Sequence, residues 1–170
     1  MKKIRTNVFE TNSSSCHSLV VAETPNFNYT IIPDKDGLIT LDGDSYGGGD
    51  GKEYTDALTK ANYVATSVVM GRGYHDESET EFDPDLATKE QLEDFYIARA
   101  HDSENARRLV NIIKKHTKAK CVHLIPKKYN VYIDHDSAGL GIDFMRDHTD
   151  EEVKNLLFNS ESVLTLDYNG

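Results

Sequence analysis

The densest group of chemically active side chains lies near the start of the chain. Residues 12–18 place four hydroxyls, an amide, a thiol and an imidazole within seven positions. The candidate ligands for phosphate or ribose oxygens in this segment are Asn12, Ser13, Ser14 and Ser15. His17 follows them and is a candidate general acid or base. The alternative is a structural turn, because short polar side chains also hydrogen-bond to their own backbone, and the sequence leaves both interpretations open.

A second candidate site ends a predicted strand in the C-terminal half. Asp134 closes that strand and His135 comes directly after it, ahead of a glycine-bearing loop. If strands from the two ends of the chain are neighbours, this pair converges with His17 and with Asp167. Imidazole and carboxylate groups together suit Zn, Mn or Fe, so we predict His135, Asp134 and Asp167 as ligands of a divalent metal. Without a metal, Asp134 would orient a histidine, and His17 and His135 would transfer protons.

Weaker motifs have simpler explanations. A Ser-His-Asp relay ranks below metal or phosphate binding, because the chain lacks the G-x-S-x-G turn that exposes a nucleophilic serine. His75 lies next to Asp76 in an acidic segment, and His101 lies next to Asp102 at a predicted helix boundary, which favours structural roles. The glycine-rich residues 43–51 are not a P-loop and predict a connector.

The opening segment also resembles a known group of proteins. Residues 9–18 read F-E-T-N-S-S-S-C-H-S, which is similar to the start of a family of uncharacterised phage and bacterial proteins that begin F-E-T-N-S-S-S-x-H-S. The similarity extends weakly to Tyr54, to residues 133–135 and 157–159, and to residues 167–169. The resemblance implies a small protein of the kind that phages carry, among which accessory enzymes and inhibitors of host machinery are both common.

The charge of the chain is unevenly distributed. Its 170 residues include 19 Lys and Arg against 29 Asp and Glu, a net charge of -10, which argues against general binding to DNA or to anionic membranes. Eight of the bases and no acid lie between Arg107 and Lys128, and we call this segment the basic stretch. The exposed face and last turn of a helix would explain it, and a phosphate-binding surface is the alternative. Cys16 and Cys121 are too few for a disulfide scaffold.

The secondary structure that must position these residues follows from short-range patterns. Short runs rich in β-branched and aromatic residues predict strands at 3–9, 17–22, 29–32, 38–41, 121–125, 129–134 and 163–166, with a hairpin at 34–37. Helical spacing predicts a helix from Thr55 or Asp56 to about Gly71, and a segment over residues 89–116 that is one helix or two, broken at 101–103. A capping-box pattern, Thr149 with Glu152, opens a further short helix.

These elements predict one α+β domain over residues 1–170. Its sheet should be mixed or antiparallel, built from short strands of both chain ends, with three or four helices. The absence of a long apolar run and of a signal peptide indicates a soluble protein without a membrane partner, in the cytoplasm of a host cell if phages encode it. For function we predict a phage-type accessory protein that binds or acts on a phosphorylated ligand such as a nucleotide or a nucleic-acid end. The alternative is a non-catalytic protein that inhibits or redirects a host factor.

Overall fold

The computed structural model of the chain describes residues 3–6, 15–44, 46, 52–70, 87–126, 133 and 139–168. The strands of this part are β1 (Lys3–Thr6), β2 (Ser15–Ala22), β3 (Leu38–Gly43), β4 (Lys52–Tyr54), β5 (Cys121–Pro126) and β6 (Val163–Tyr168). The helices are α1 (Ala57–Met70), α2 (Lys89–Asp102), α3 (Glu104–Thr117), α4 (Leu140–Asp147) and α5 (Asp150–Phe158). The chain therefore has the α+β fold that the sequence predicts.

The larger sheet joins the two ends of the chain. Its strand order is β1-β2-β6-β4, and every pair of neighbours is antiparallel. β2 and β6 pair from Ser15 opposite Tyr168 to Val20 opposite Val163. The prediction that strands of the two chain ends are neighbours is thus confirmed. β4 follows the glycine-rich segment directly, and no local pattern in the sequence indicates it.

The second sheet corrects the predicted hairpin. β3 pairs with β5, in parallel, rather than with residues 29–32, which form no strand. The turn itself exists: the Asp34 carboxylate accepts hydrogen bonds from the N–H groups of Asp36 and Leu38, each at 2.9 Å. The chain before the turn is held elsewhere, because the Asn28 N–H donates to the Phe158 carbonyl at 2.7 Å. The hairpin prediction was wrong because a turn sequence does not determine which strand the segment after the turn pairs with.

Helix α1 lies at the centre of the molecule and is buried on nearly all sides. Its buried residues include apolar side chains and also the polar Lys60, Thr66 and Ser67. One hydrophobic cluster joins α1 with residues of both sheets and of α3, α4 and α5, and Phe95 of α2 packs against it. Leu58 of α1, by contrast, is 44% exposed.

The remaining helices show which boundary signals are reliable. Residues 89–117 form two helices, and the Ser103 side chain between them caps α3 by accepting a hydrogen bond from the Ala106 N–H at 3.2 Å. The predicted capping box of Thr149 and Glu152 is present at the start of α5. Helix α4 is absent from the sequence prediction, since it begins after Gly139 with no side-chain cap. It raises the described helices to five, against the three or four predicted.

In the described residues, no helix combines the length and the apolar composition that crossing a bilayer requires.

Candidate functional site

The pairing of β2 with β6 locates three of the predicted site residues. Ser15 lies on β2 opposite Tyr168, and His17 lies opposite Leu166. Asp167 lies on β6 opposite Cys16, one register position from His17. The backbone therefore brings the N-terminal segment and the C-terminal aspartate to the same end of one strand pair.

The other predicted site residues lie outside the described part of the chain. These are Asn12, Ser13, Ser14, Asp134 and His135. Their convergence with His17, and the metal site of Asp134, His135 and Asp167, therefore stay predictions. Across the described residues, no three His, Cys, Asp or Glu side chains are grouped so that they could hold a metal ion.

His17 is part of the protein core. Its side chain is 3% exposed, and its Nδ1 lies 3.1 Å from the hydroxyl of the fully buried Tyr63. The Tyr46 ring packs edge-on against Tyr63, and burial together with the nearby Asp44 carboxylate raises the pKa of Tyr46. These contacts give His17 a structural role, and its role as an acid or base stays a prediction.

A chain of contacts leads from His17 toward the second predicted site. Ile133, the residue before Asp134, is buried and forms a parallel bridge with Tyr46. Tyr46 in turn contacts Tyr63, which hydrogen-bonds to His17. Ile133, which precedes Asp134, is thus connected to His17 through the rings of Tyr46 and Tyr63.

A groove lies between α2, α3 and β5. Its volume is about 410 Å³, within the range of small-molecule sites. The lining residues are Ile97, His101, Arg107, Val110, Asn111, Val122, His123, Leu124 and Ile125. Ile97 is 55% exposed although it is a large apolar residue, which leaves apolar surface open at the rim.

Polar groups stand around the apolar floor of this groove. Arg107 uses one guanidinium N–H to bond the His101 carbonyl at 2.7 Å, and a guanidinium carries five N–H donors. Asn111 and His123 are exposed lining residues. Asp102 of α2 lies 3.5 Å from the His101 ring and is not one of the lining residues. An apolar floor with a few polar groups can bind a ligand that has an apolar body and an anionic group.

The bases of the basic stretch divide between structural and solvent-facing roles. Arg108 is structural: its guanidinium donates to the Met145 carbonyl, to the His148 carbonyl at 2.6 Å and to Asp150 at 2.6 Å, which joins α3 to α4 and α5. Lys115, Lys118 and Lys120 are exposed around the last turn of α3 and the start of β5. The predicted helix face and last turn account for these lysines, while Arg107 lies at the groove.

Lys60 is a buried cation that lies outside the groove. It is fully buried, and its Nζ donates to the carbonyls of Asn159 and Ser162 at 2.8 and 2.9 Å. Burial lowers its pKa to about 8, and the Asp56 carboxylate opposes this effect. Since both acceptors belong to the turn between α5 and β6, Lys60 fixes this turn onto α1.

The groove was not predicted, although the sequence contains one signal for it, the basic stretch. Seven of the nine lining residues lie within the basic stretch, and all of them were assigned to a helix face or a strand. His101 was assigned a structural role at the predicted helix boundary of residues 101–103, where Ser103 provides the cap. The groove forms only where three elements meet, so periodicity within one element cannot reveal it.

Comparison with protein-family models, with curated proteins and with solved structures gives no match for this chain. The resemblance of its opening segment to phage and bacterial proteins accordingly stays a prediction.

Proposed function

We propose that this protein binds a phosphorylated organic ligand in the groove between α2, α3 and β5. The observation that carries the proposal is that Arg107 lines a largely apolar groove, and that seven of the nine lining residues lie in a segment without an acid. The apolar floor accommodates the body of the ligand, and the Arg107 guanidinium donates hydrogen bonds to its phosphate. In keeping with the resemblance of its opening, the chain is then a phage-type accessory protein.

The proposal relocates the phosphate from the N-terminal serines to Arg107. Arginine binds phosphate through several N–H groups at once, and such charge-assisted hydrogen bonds are stronger than neutral ones. The strongly negative remainder of the chain repels anions elsewhere on the surface, which directs a phosphorylated ligand to its one basic segment.

Titrations with phenyl phosphate, ribose 5-phosphate and the four nucleoside monophosphates, followed by calorimetry, test this proposal. Arg107→Ala should weaken binding roughly tenfold or more, because it removes a charged hydrogen-bond donor. The matched control is Lys115→Ala, which removes an exposed base from the same helix but not from the groove. Ile97→Ala should also weaken binding, whereas Ile32→Ala, which truncates an 80% exposed isoleucine elsewhere, should not.

Two outcomes would overturn the proposal. One is that no phosphate compound binds the wild-type protein more tightly than about 1 mM. The other is that Arg107→Ala binds normally while Ser13→Ala and Ser14→Ala lose binding, which would return the phosphate site to the N-terminal segment.

The alternative function is a non-catalytic interaction protein directed at a host factor. It is favoured by the exposed Lys115, Lys118 and Lys120, which form a cationic surface at one end of α3. Charged surfaces of this kind raise association rates and select partners. Replacing these three lysines with glutamate should then abolish salt-dependent binding to a purified acidic host protein and leave phosphate binding unchanged.

A further inference from the structure

The outer edge of β5 carries backbone groups whose direction can be worked out from its pairing. Among the described residues β5 pairs only with β3, so its second edge has no strand partner there. Cys121 pairs with Leu38 in the register, and its N–H donates to the Gly37 carbonyl at 3.3 Å. In a parallel ladder this bond directs the N–H and C=O of Cys121 toward β3.

The bonds of two residues on β3 support the same alternation. The N–H and C=O of Leu38 both bond to Asp34, at 2.9 Å each, so they point away from β5. The Asp42 N–H donates to Asn62 of α1 at 3.1 Å and also points away from β5. The backbone groups of Leu38 and Asp42 therefore point away from β5, and the residues that alternate with them on β3 bond β5.

The backbone groups of Val122 and Leu124 consequently point away from β3, on a strand whose residues line the groove. Since alternate residues of a strand direct their N–H and C=O to opposite edges, His123 and Ile125 follow Cys121 and bond β3. Val122 and Leu124 direct theirs to the outer edge, and four consecutive residues of β5, including these two, line the groove. Among the described residues, no hydrogen bond to the backbone groups of Val122 and Leu124 is present.

We infer that the phosphorylated ligand is a nucleotide whose base pairs with the Val122 C=O and the Leu124 N–H. On one strand edge the C=O of a residue and the N–H two positions later lie side by side, as an acceptor next to a donor. Nucleobases present the complementary donor and acceptor at neighbouring positions of their ring edge. The apolar side chains of the groove cover the faces of the ring, and Arg107 meets the phosphate. The inference rests on the proposed function and names its ligand class.

An added peptide strand is the competing occupant, and the geometry favours the nucleotide. Strand addition uses a long run of outward N–H and C=O groups. β5 offers two outward N–H groups, because its next outward position is Pro126, which has none. The groove is also bounded by Ile97 and His101 of α2, and its volume of about 410 Å³ suits one small molecule.

Ligand comparison provides the first test. The nucleoside monophosphate that binds most tightly should exceed phenyl phosphate and ribose 5-phosphate at least tenfold in affinity, and binding should slow exchange of the Leu124 amide proton. The His123 amide, which bonds β3, is the internal reference. If phenyl phosphate binds as tightly as every nucleotide and still depends on Arg107, the nucleotide inference fails while the proposed function stands. If no phosphate compound binds, the proposed function itself fails.

An amide-to-ester replacement provides the second test without altering any side chain. At Leu124 it removes the N–H that faces the base, and nucleotide affinity should fall about three- to tenfold with phenyl phosphate affinity unchanged. The same replacement at Val122 is the matched control. In both variants the ester makes the carbonyl of the preceding residue, which bonds β3, a weaker hydrogen-bond acceptor. The two variants differ in the N–H that is lost, because only the Leu124 N–H belongs to the predicted pair. Equal losses for both esters would overturn the inference. Binding of an extended acidic peptide that protects both amides would replace it with strand addition.

Discussion

Replacing Lys60 with methionine should remove a rise in stability that the wild-type protein shows at alkaline pH. The ammonium of Lys60 is fully buried and bonded to two carbonyls, and burial lowers its pKa from 10.5 to about 8. A buried base with a lowered pKa binds its proton less tightly in the folded state than in the unfolded chain. Between these two pKa values the unfolded state therefore holds more protons, and stability increases with pH.

The size of this rise follows from the two pKa values. The difference between 10.5 and about 8 corresponds to roughly 3 kcal/mol in the free energy of unfolding, reached only above pH 10.5. Tyr46 acts in the opposite direction, because its raised pKa makes the folded state lose stability once unfolded tyrosine ionises near pH 10. The useful window thus ends near pH 9.5, where about 2 kcal/mol of the Lys60 contribution should have appeared.

Urea unfolding followed by circular dichroism at pH 7, 8, 9 and 9.5 measures this effect. Other titrating groups contribute almost equally to the stability of wild type and of Lys60→Met. The difference in the free energy of unfolding between the two proteins, followed as a function of pH, therefore reports on Lys60 alone. The control is Lys115→Met, which removes an exposed lysine and should keep the wild-type slope. The reasoning is refuted if wild type and Lys60→Met depend on pH in the same way over this window while their m-values agree.

Three further substitutions test the packing and capping that hold the fold. Gly141→Ala should lower the free energy of unfolding in urea by about 1–3 kcal/mol, because the added Cβ would lie 2.5 Å from Cβ of Ser67. Adding Ser67→Gly should restore part of this loss. An unchanged stability of Gly141→Ala would contradict the close approach of α4 to α1. Thr149→Ala should cost about 1 kcal/mol of stability and Thr149→Ser much less, measured by thermal melts, and equal melts for both would exclude a capping role. Tyr63→Phe should cost about 1–2 kcal/mol, because it removes the hydroxyl 3.1 Å from His17, and an unchanged urea midpoint would show that this bond contributes nothing.

Local sequence determined the features that depend on residues a few positions apart. The Thr149 cap of α5 was predicted, and residues 101–103 were the predicted position of a break if residues 89–116 formed two helices, because a cap is a hydrogen bond within one helical turn. The strands β2 and β6 were predicted from their β-branched residues, as members of a sheet that combines strands from both chain ends.

Tertiary structure alone decided the features that depend on contacts between distant segments. The turn at Asp34 predicted a hairpin, but β3 pairs with β5 because pairing is set by packing of the whole chain rather than by the turn. Helix α4 has no side-chain cap, and its position depends on the close approach of Gly141 to Ser67. The groove likewise exists only because α2, α3 and β5 meet, and the alternation of backbone bonds on β5 turns Val122 and Leu124 away from β3. Side-chain patterns report burial within one element, and they carry no information about which elements meet.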